Sequence, residues 1–153
     1  MKQPRTILFT PEGYQKLKDD LTIFTKRRVT AVNSLRTARE MGDLSENGAY
    51  KAARFELSFV DRELRRLKFL LRFGKIGAVV NSGQVGFGNR VTLTNETEEL
   101  TFTLVDGYES NPRDKKLSFV SPIGKAVLGK TVGETITVST PSGTKQYTIR
   151  QIK

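Results

Sequence analysis

Two apolar stripes of coiled-coil spacing flank one short polar turn, Gly42-Asp43-Leu44-Ser45-Glu46-Asn47. Before the turn, Tyr14, Leu17, Leu21, Phe24, Arg28, Ala31, Leu35 and Ala38 recur at steps of three and four. After it, Tyr50, Ala53, Leu57, Val60, Leu64, Leu67 and Leu71 do the same. Such a spacing draws one narrow stripe along each helix, the seam of a coiled coil. Two seams joined by a few polar residues predict an antiparallel helical hairpin. About 30 residues at 1.5 Å each make a helix on the order of 45 Å long. The turn 42–47 is then the tip, and it carries two carboxylates.

Thr10-Pro11-Glu12 opens the first helix with an N-cap, a proline suited to the first helical position and an acid at the positive end of the dipole. Ile7, Leu8 and Phe9 before it are expected to hold the helix start, and Phe69 and Phe73 are expected to pack against a second domain. Arg28 is the one charge in the seam. If the helices pair about the turn, Glu63 lies opposite, and a polar seam residue of this kind fixes register.

Charge is unevenly spread. Residues 1–74 hold 16 Lys and Arg against 9 Asp and Glu, and residues 75–153 hold 10 against 7, for a formal total of +10. The excess on the hairpin fits either a polyanionic partner or a solubilising surface. Lys51, Arg54, Arg62, Arg65 and Arg72 fall along a single ridge of the second helix. Such a ridge can track a phosphate backbone, and it can equally be a solvated flank. Lys51, Arg54 and Arg62 are the candidate contacts to such a backbone. Phe55 and Phe59 lie off the seam near the tip, where exposed aromatics suggest a protein partner or a groove wall.

With neither cysteine nor histidine in the chain, disulfides and histidine-based acid–base chemistry are excluded. No stretch of the sequence has the length and apolarity of a signal peptide or a membrane span, so a cytoplasmic location is expected.

Past Gly74 and a glycine-rich passage, the period changes from the helical one to two. Val91–Leu93, Leu100–Leu104, Leu117–Val120, Thr135–Val138 and Gln146–Ile149 read as strands, and Ser121-Pro122 opens a brief helix over 123–128. The fold class is α+β: an antiparallel coiled-coil domain over 1–75 with its tip at 42–47, then a small antiparallel β domain with one short helix over 76–153. The β half shows no catalytic group.

The tip acids admit two compatible readings. Asp43 and Glu46 can share a magnesium ion, which is commonly held by one or two carboxylates plus water and phosphate. Such a pair binds weakly alone and matters beside a site that already holds a metal and a phosphodiester. Asp43-Leu44-Ser45-Glu46 is also a capping box, with Asp43 at the N-cap of the second helix.

The chain resembles the bacterial Gre transcript-cleavage factors, on the GreA side of that family, over nearly its whole length. Three stretches carry the resemblance: Thr10-Pro11-Glu12-Gly13-Tyr14-Gln15-Lys16-Leu17; Ala38 to Asn47 with Tyr50, Ala52 and Ala53; and Ser118 to Lys130 followed by Gly133-Glu134. The resemblance implies a C-terminal domain similar to FK506-binding proteins that docks on RNA polymerase, with Ser121, Pro122 and Ile123 as candidate docking residues. It implies a hairpin that enters the polymerase secondary channel. There Asp43 and Glu46, supported by Ser45, help the polymerase active site hold a second magnesium and cut the nascent RNA 3′ end of a backtracked complex. The chain is then no enzyme itself, and is expected to act as a monomer.

Two departures stand out. Asn47-Gly48-Ala49-Tyr50 lacks a third acid that family members commonly carry, and Gly48 weakens the first helical turn by about 1 kcal/mol. A charge of +10 is also unusual for the family. Three other readings compete: a Gre-like inhibitor that blocks the secondary channel without promoting cleavage, a prolyl isomerase using the β half, and a general RNA-binding hairpin.

Overall fold

A computed structural model of the protein describes residues 5–42 and 46–153. The chain divides into two compact units, one formed by Tyr14–Gly74 and the other by Thr6–Gly13 with Lys75–Lys153.

The first unit is the helical hairpin. Helix α1 runs Pro11–Arg39 and α2 runs Gly48–Phe73. Along α1 the side chains turned from solvent are Leu17, Ala31 and Ala38, with Leu21, Phe24 and Leu35 half-buried between them. On α2 they are Ala53, Val60, Leu64, Leu67 and Leu70. Every buried position but one is a seam position of the sequence, while Tyr14, Tyr50 and Leu57 on the same seam are half-buried and Arg28 is exposed. The exception is Leu70, fully buried where the spacing puts Leu71, which is half-buried.

Cross-helix contacts show the antiparallel register. Asn47 meets Ala38, Arg27 meets Glu56 and Phe24 meets Phe59 at 6.1 Å between ring centroids. Arg28 pairs with Asp61 at 2.6 Å, not with Glu63. Glu63 instead binds Arg66 on its own helix at 3.1 Å, an i,i+3 neighbour that needs no cross-helix reach. Arg28 therefore sits on the seam line yet keeps its side chain about half exposed. Phe69 and Phe73 pack on each other at 4.9 Å.

The second unit holds two sheets. Strand β1 (Ile7–Phe9) pairs with β2 (Gly74–Ile76), and the Gly77 amide donates to the Phe9 carbonyl at 2.9 Å. The five-stranded sheet has the order β5-β4-β3-β7-β6, from β3 (Arg90–Thr94), β4 (Glu99–Val105), β5 (Lys116–Ser118), β6 (Thr135–Thr140) and β7 (Gly143–Ile152). Strict alternation puts Val91 and Leu93, Ile136 and Val138, and Tyr147 and Ile149 on the buried face. They close over α3 (Pro122–Val127), whose Val127 is fully buried among them.

The sheet is not wholly antiparallel. β4 and β5 run parallel, Thr103 level with Lys116 and Val105 with Ser118. A parallel neighbour needs a crossover rather than a hairpin. The link between them contains a 3-10 turn at Pro112–Asp114 that ends on Lys115 in the left-handed region, φ 54°.

The first turn of α1 belongs to this second unit and is pinned there. Thr10 caps α1 as its sequence predicts, its Oγ1 accepting from the Gly13 amide at 3.1 Å. Glu109, whose side chain is only 6% exposed, accepts from the Thr10 amide at 2.8 Å, from the Thr10 hydroxyl and from Lys116 Nζ at 2.8 Å.

Candidate functional site

The turn between the two hairpin helices begins where α1 runs out of backbone partners. The Met41 amide donates back to the Ala38 carbonyl at 3.2 Å, and Gly42 then takes φ +110°, a conformation natural to glycine. Asp43 and Ser45 lie outside the described residues. Glu46 is exposed and, among the described residues, has neither a hydrogen bond nor an ion pair.

Asn47 closes the turn. Its Oδ1 accepts from the Tyr50 amide at 3.0 Å, which makes it the N-cap of α2. Its Nδ2 donates to the Ala38 carbonyl at 2.8 Å, in the last turn of α1. The capping box with Asp43 at the N-cap is therefore overturned. Helix α2 starts at Gly48, so the capping residue is Asn47 and Glu46 stands before the helix rather than in its first turn. Asn47 is the residue that the sequence reading missed as a structural anchor. Asp, Ser and Asn are near-equal caps, and the turn offers all three within five residues.

Beyond the turn, Lys51, Arg54, Arg62, Arg65 and Arg72 are all exposed. At 3.6 residues per turn these five lie within an arc of about 80°. Among the described residues none of them enters an ion pair. The carboxylates of α2 are engaged elsewhere, Glu56 with Arg27 and Asp61 with Arg28. The ridge is therefore a run of unneutralised cations. Lys51 and Arg62 stand about 16 Å apart along it.

The aromatics near the tip divide. Phe55 is 75% exposed, as the off-seam position predicts. Phe59, expected beside it, packs on Phe24 and lies under the guanidinium groups of Arg27 and Arg62 at 5.2 and 5.9 Å. Its off-seam position is filled by a cross-helix aromatic pair rather than left open.

In the β unit, the three candidate docking residues have different duties. Ser121 is the N-cap of α3, accepting from the Gly124 amide at 3.0 Å and donating to the Ser118 carbonyl at 2.6 Å. Ile123 packs partly buried against the core. Pro122 is exposed, next to Val120 at 54% exposure. Of the three, Pro122 is the one freely presented to solvent. Among the described residues no group of three or more metal-binding side chains gathers, and no helix is long and apolar enough to cross a membrane.

Two family profiles cover most of the chain. Residues 7–76 match the family described as transcription elongation factor, N-terminal, and residues 80–153 match the one described as transcription elongation factor, GreA/GreB, C-term. The chain is 36% identical to transcription elongation factor GreA of Caldanaerobacter subterraneus subsp. tengcongensis, over 97% of this chain and 98% of that one. It is 37% identical to the protein of the same name in Bacillus cereus over the full length of both. Among solved structures it is similar to GreA factor homolog 1 of Thermus thermophilus, at 28% identity and TM-score 0.46 over 97% of this chain and 99% of that one.

Proposed function

Starting from the fact that this chain belongs to the GreA/GreB family of transcription elongation factors, we infer that it stimulates RNA cleavage by RNA polymerase. The hairpin enters the secondary channel of a backtracked complex and brings its turn to the polymerase active site, where the polymerase cuts the nascent RNA 3′ end. The chain acts in the cytoplasm as a monomer and performs no bond cleavage of its own.

One observation carries this reading. The turn holding Glu46 stands at the far end of two long helices, and Asn47 ties it to both of them. A carboxylate that is to act in another protein's active site has to be presented on a rigid support, free of partners of its own. Glu46 meets that requirement among the described residues, and Asp43 is its proposed companion, with Ser45 in support.

Magnesium is the ion this role implies. Carboxylate oxygens are the hard donors it prefers, and it is commonly held by only one or two of them. A turn with two acids suits a share in an ion whose remaining ligands come from polymerase and RNA. When bound, that ion supplies stabilisation of charge on the attacking and leaving oxygens. The residues of this chain hold it in place, and the exposed cations Lys51, Arg54 and Arg62 hold the displaced RNA through its phosphates. Pro122, with Ser121 shaping the loop and Ile123 anchoring it, forms part of the docking surface for polymerase.

The test is a stalled, backtracked complex of the cognate polymerase carrying 3′-labelled RNA. Adding the chain is expected to shorten the transcript and restore elongation. A secondary-channel inhibitor would instead slow nucleotide addition and leave the transcript uncut.

A further inference from the structure

The five-stranded sheet buries one face and leaves the other polar. On that outer face, a cleft is lined by Arg90, Thr92, Glu99, Thr101, Arg150, Gln151 and Lys153, three cations against one acid. Arg150 and Gln151 are consecutive, and in a regular strand they would point to opposite faces. They line one cleft because β7 is bulged: Thr92 is level with Gln151 while Leu93 is level with Ile149, so Arg150 is an extra residue. A bulge re-aims a side chain in just this way.

The cations sit in an arrangement that costs stability. Arg90 and Lys153 exchange both backbone hydrogen bonds, each at 2.9 Å, so two positive side chains stand directly opposed across the strand pair. Like charges so placed repel. Among the described residues Arg90, Arg150 and Lys153 form no ion pair. Glu99 is level with Thr94, at the other end of β3 from Arg90, and bonds to none of them. Beside them, the Thr92 and Thr101 hydroxyls lie 3.2 Å apart across the β3–β4 pair.

We propose that this cleft binds the phosphodiester backbone of a nucleic-acid duplex. Arginine, lysine and threonine are the side chains that contact phosphate oxygens without reading sequence. The cleft has no aromatic side chain on which an unpaired base would stack, which favours a duplex over a single strand. It also lacks the apolar pocket that anchors a folded protein partner. The total charge of +10 draws the chain toward a polyanion. The site is independent of the hairpin, and its test does not depend on transcript cleavage.

The experiment measures anisotropy of a fluorescent 20-base-pair DNA duplex against KCl concentration. The full chain carrying Lys51→Gln, Arg54→Gln and Arg62→Gln is the parent, so that the hairpin ridge does not mask the sheet. Adding Arg90→Gln, Arg150→Gln and Lys153→Gln is expected to weaken duplex binding at least tenfold at low salt and to lower the salt slope by about 3. Glu99→Gln in the parent is expected to tighten binding several-fold, a gain that misfolding does not produce. Unchanged affinity and slope in the sheet variant, or no gain from Glu99→Gln, would overturn the proposal. So would tighter binding of a poly-glutamate peptide than of the duplex, which would make the cleft a receptor for an acidic protein segment.

Discussion

Asn47 Nδ2 donates to the Ala38 carbonyl at 2.8 Å, joining the last turn of α1 to the start of α2 through one side chain. Because the same amide group also accepts from the Tyr50 N–H, Asn47 satisfies two helix ends at once. An unpaired carbonyl at one helix end and an unpaired amide at the other are the usual weak points of a hairpin turn.

Asn47→Ala removes both bonds and is expected to destabilise the hairpin by about 1–2 kcal/mol. Asn47→Asp keeps the cap and loses only the donor to Ala38, so its loss should be smaller. Denaturant melts of the two variants separate the cap from the bridge. Equal losses would show that the cap to the Tyr50 amide contributes nothing and that the bond to Ala38 accounts for the whole effect.

Glu109 is the pin at the root of α1. Glu109→Ala strips the Thr10 amide and hydroxyl of their acceptor and leaves Lys116 without its partner. Breaking a largely buried pair in this way is expected to cost about 3 kcal/mol. Gly13→Ala tests the same packing from the other side, since an added Cβ would collide with the Glu109 carboxylate. Both variants should melt earlier than the parent, and Glu109→Gln should fall between Glu109→Ala and the parent.

Acid should weaken the β unit through two carboxylates. Hydrogen bonds from Tyr147 and Lys145 hold Glu98 below its usual value of 4.5, and the Thr131 amide and hydroxyl do the same for Glu134. A carboxylate with a depressed folded-state pKa stabilises above its unfolded value, and that contribution is lost as pH falls through the folded one. Stability should therefore decline below about pH 4.5, and the double variant Glu98→Gln/Glu134→Gln should flatten the decline. Urea midpoints measured from pH 7 to pH 3 report it.

The loop before α3 offers a way to separate docking from folding. A Cβ at Gly124 would run into the Ser118 carbonyl and lie 2.7 Å from Phe119 Cα. Gly124→Ala is thus expected to lower stability by about 1–3 kcal/mol and to weaken polymerase binding with it. Pro122→Ala, at an exposed position, should leave the melting temperature unchanged and weaken polymerase binding alone.

How much of this was legible in the sequence depended on the range of the interaction. The seams were legible because burial along a helix repeats with the helix itself, and Ala31, Ala38, Val60 and Leu64 are where the spacing puts them. The Thr10 and Ser121 caps were legible because an N-cap and its helix are neighbours in the chain. Choices between near-equal local options were not. Asn47 prevailed over Asp43 as the cap because only Asn offers both an acceptor for Tyr50 and a donor for Ala38. Arg28 chose Asp61 because Glu63 had a nearer partner in Arg66. The parallel β4–β5 pair and the bulge at Arg150 are settled by strands far apart in the chain, and alternation along one strand does not reveal its neighbour. The pairing of the acids at 43 and 46 rests on the family resemblance, and Asp43 lies outside the described residues. Their spacing alone was equally that of a capping box.

The most direct test of the account is transcript cleavage in a backtracked complex of the cognate polymerase, with the parent chain beside Asp43→Ala/Glu46→Ala. The account predicts magnesium-dependent shortening of the 3′-labelled RNA with the parent. With the double variant it predicts a drop of at least a hundredfold in rate, while polymerase binding is retained. Cleavage by the double variant at the parent's rate would contradict it, because the turn would then carry no chemistry.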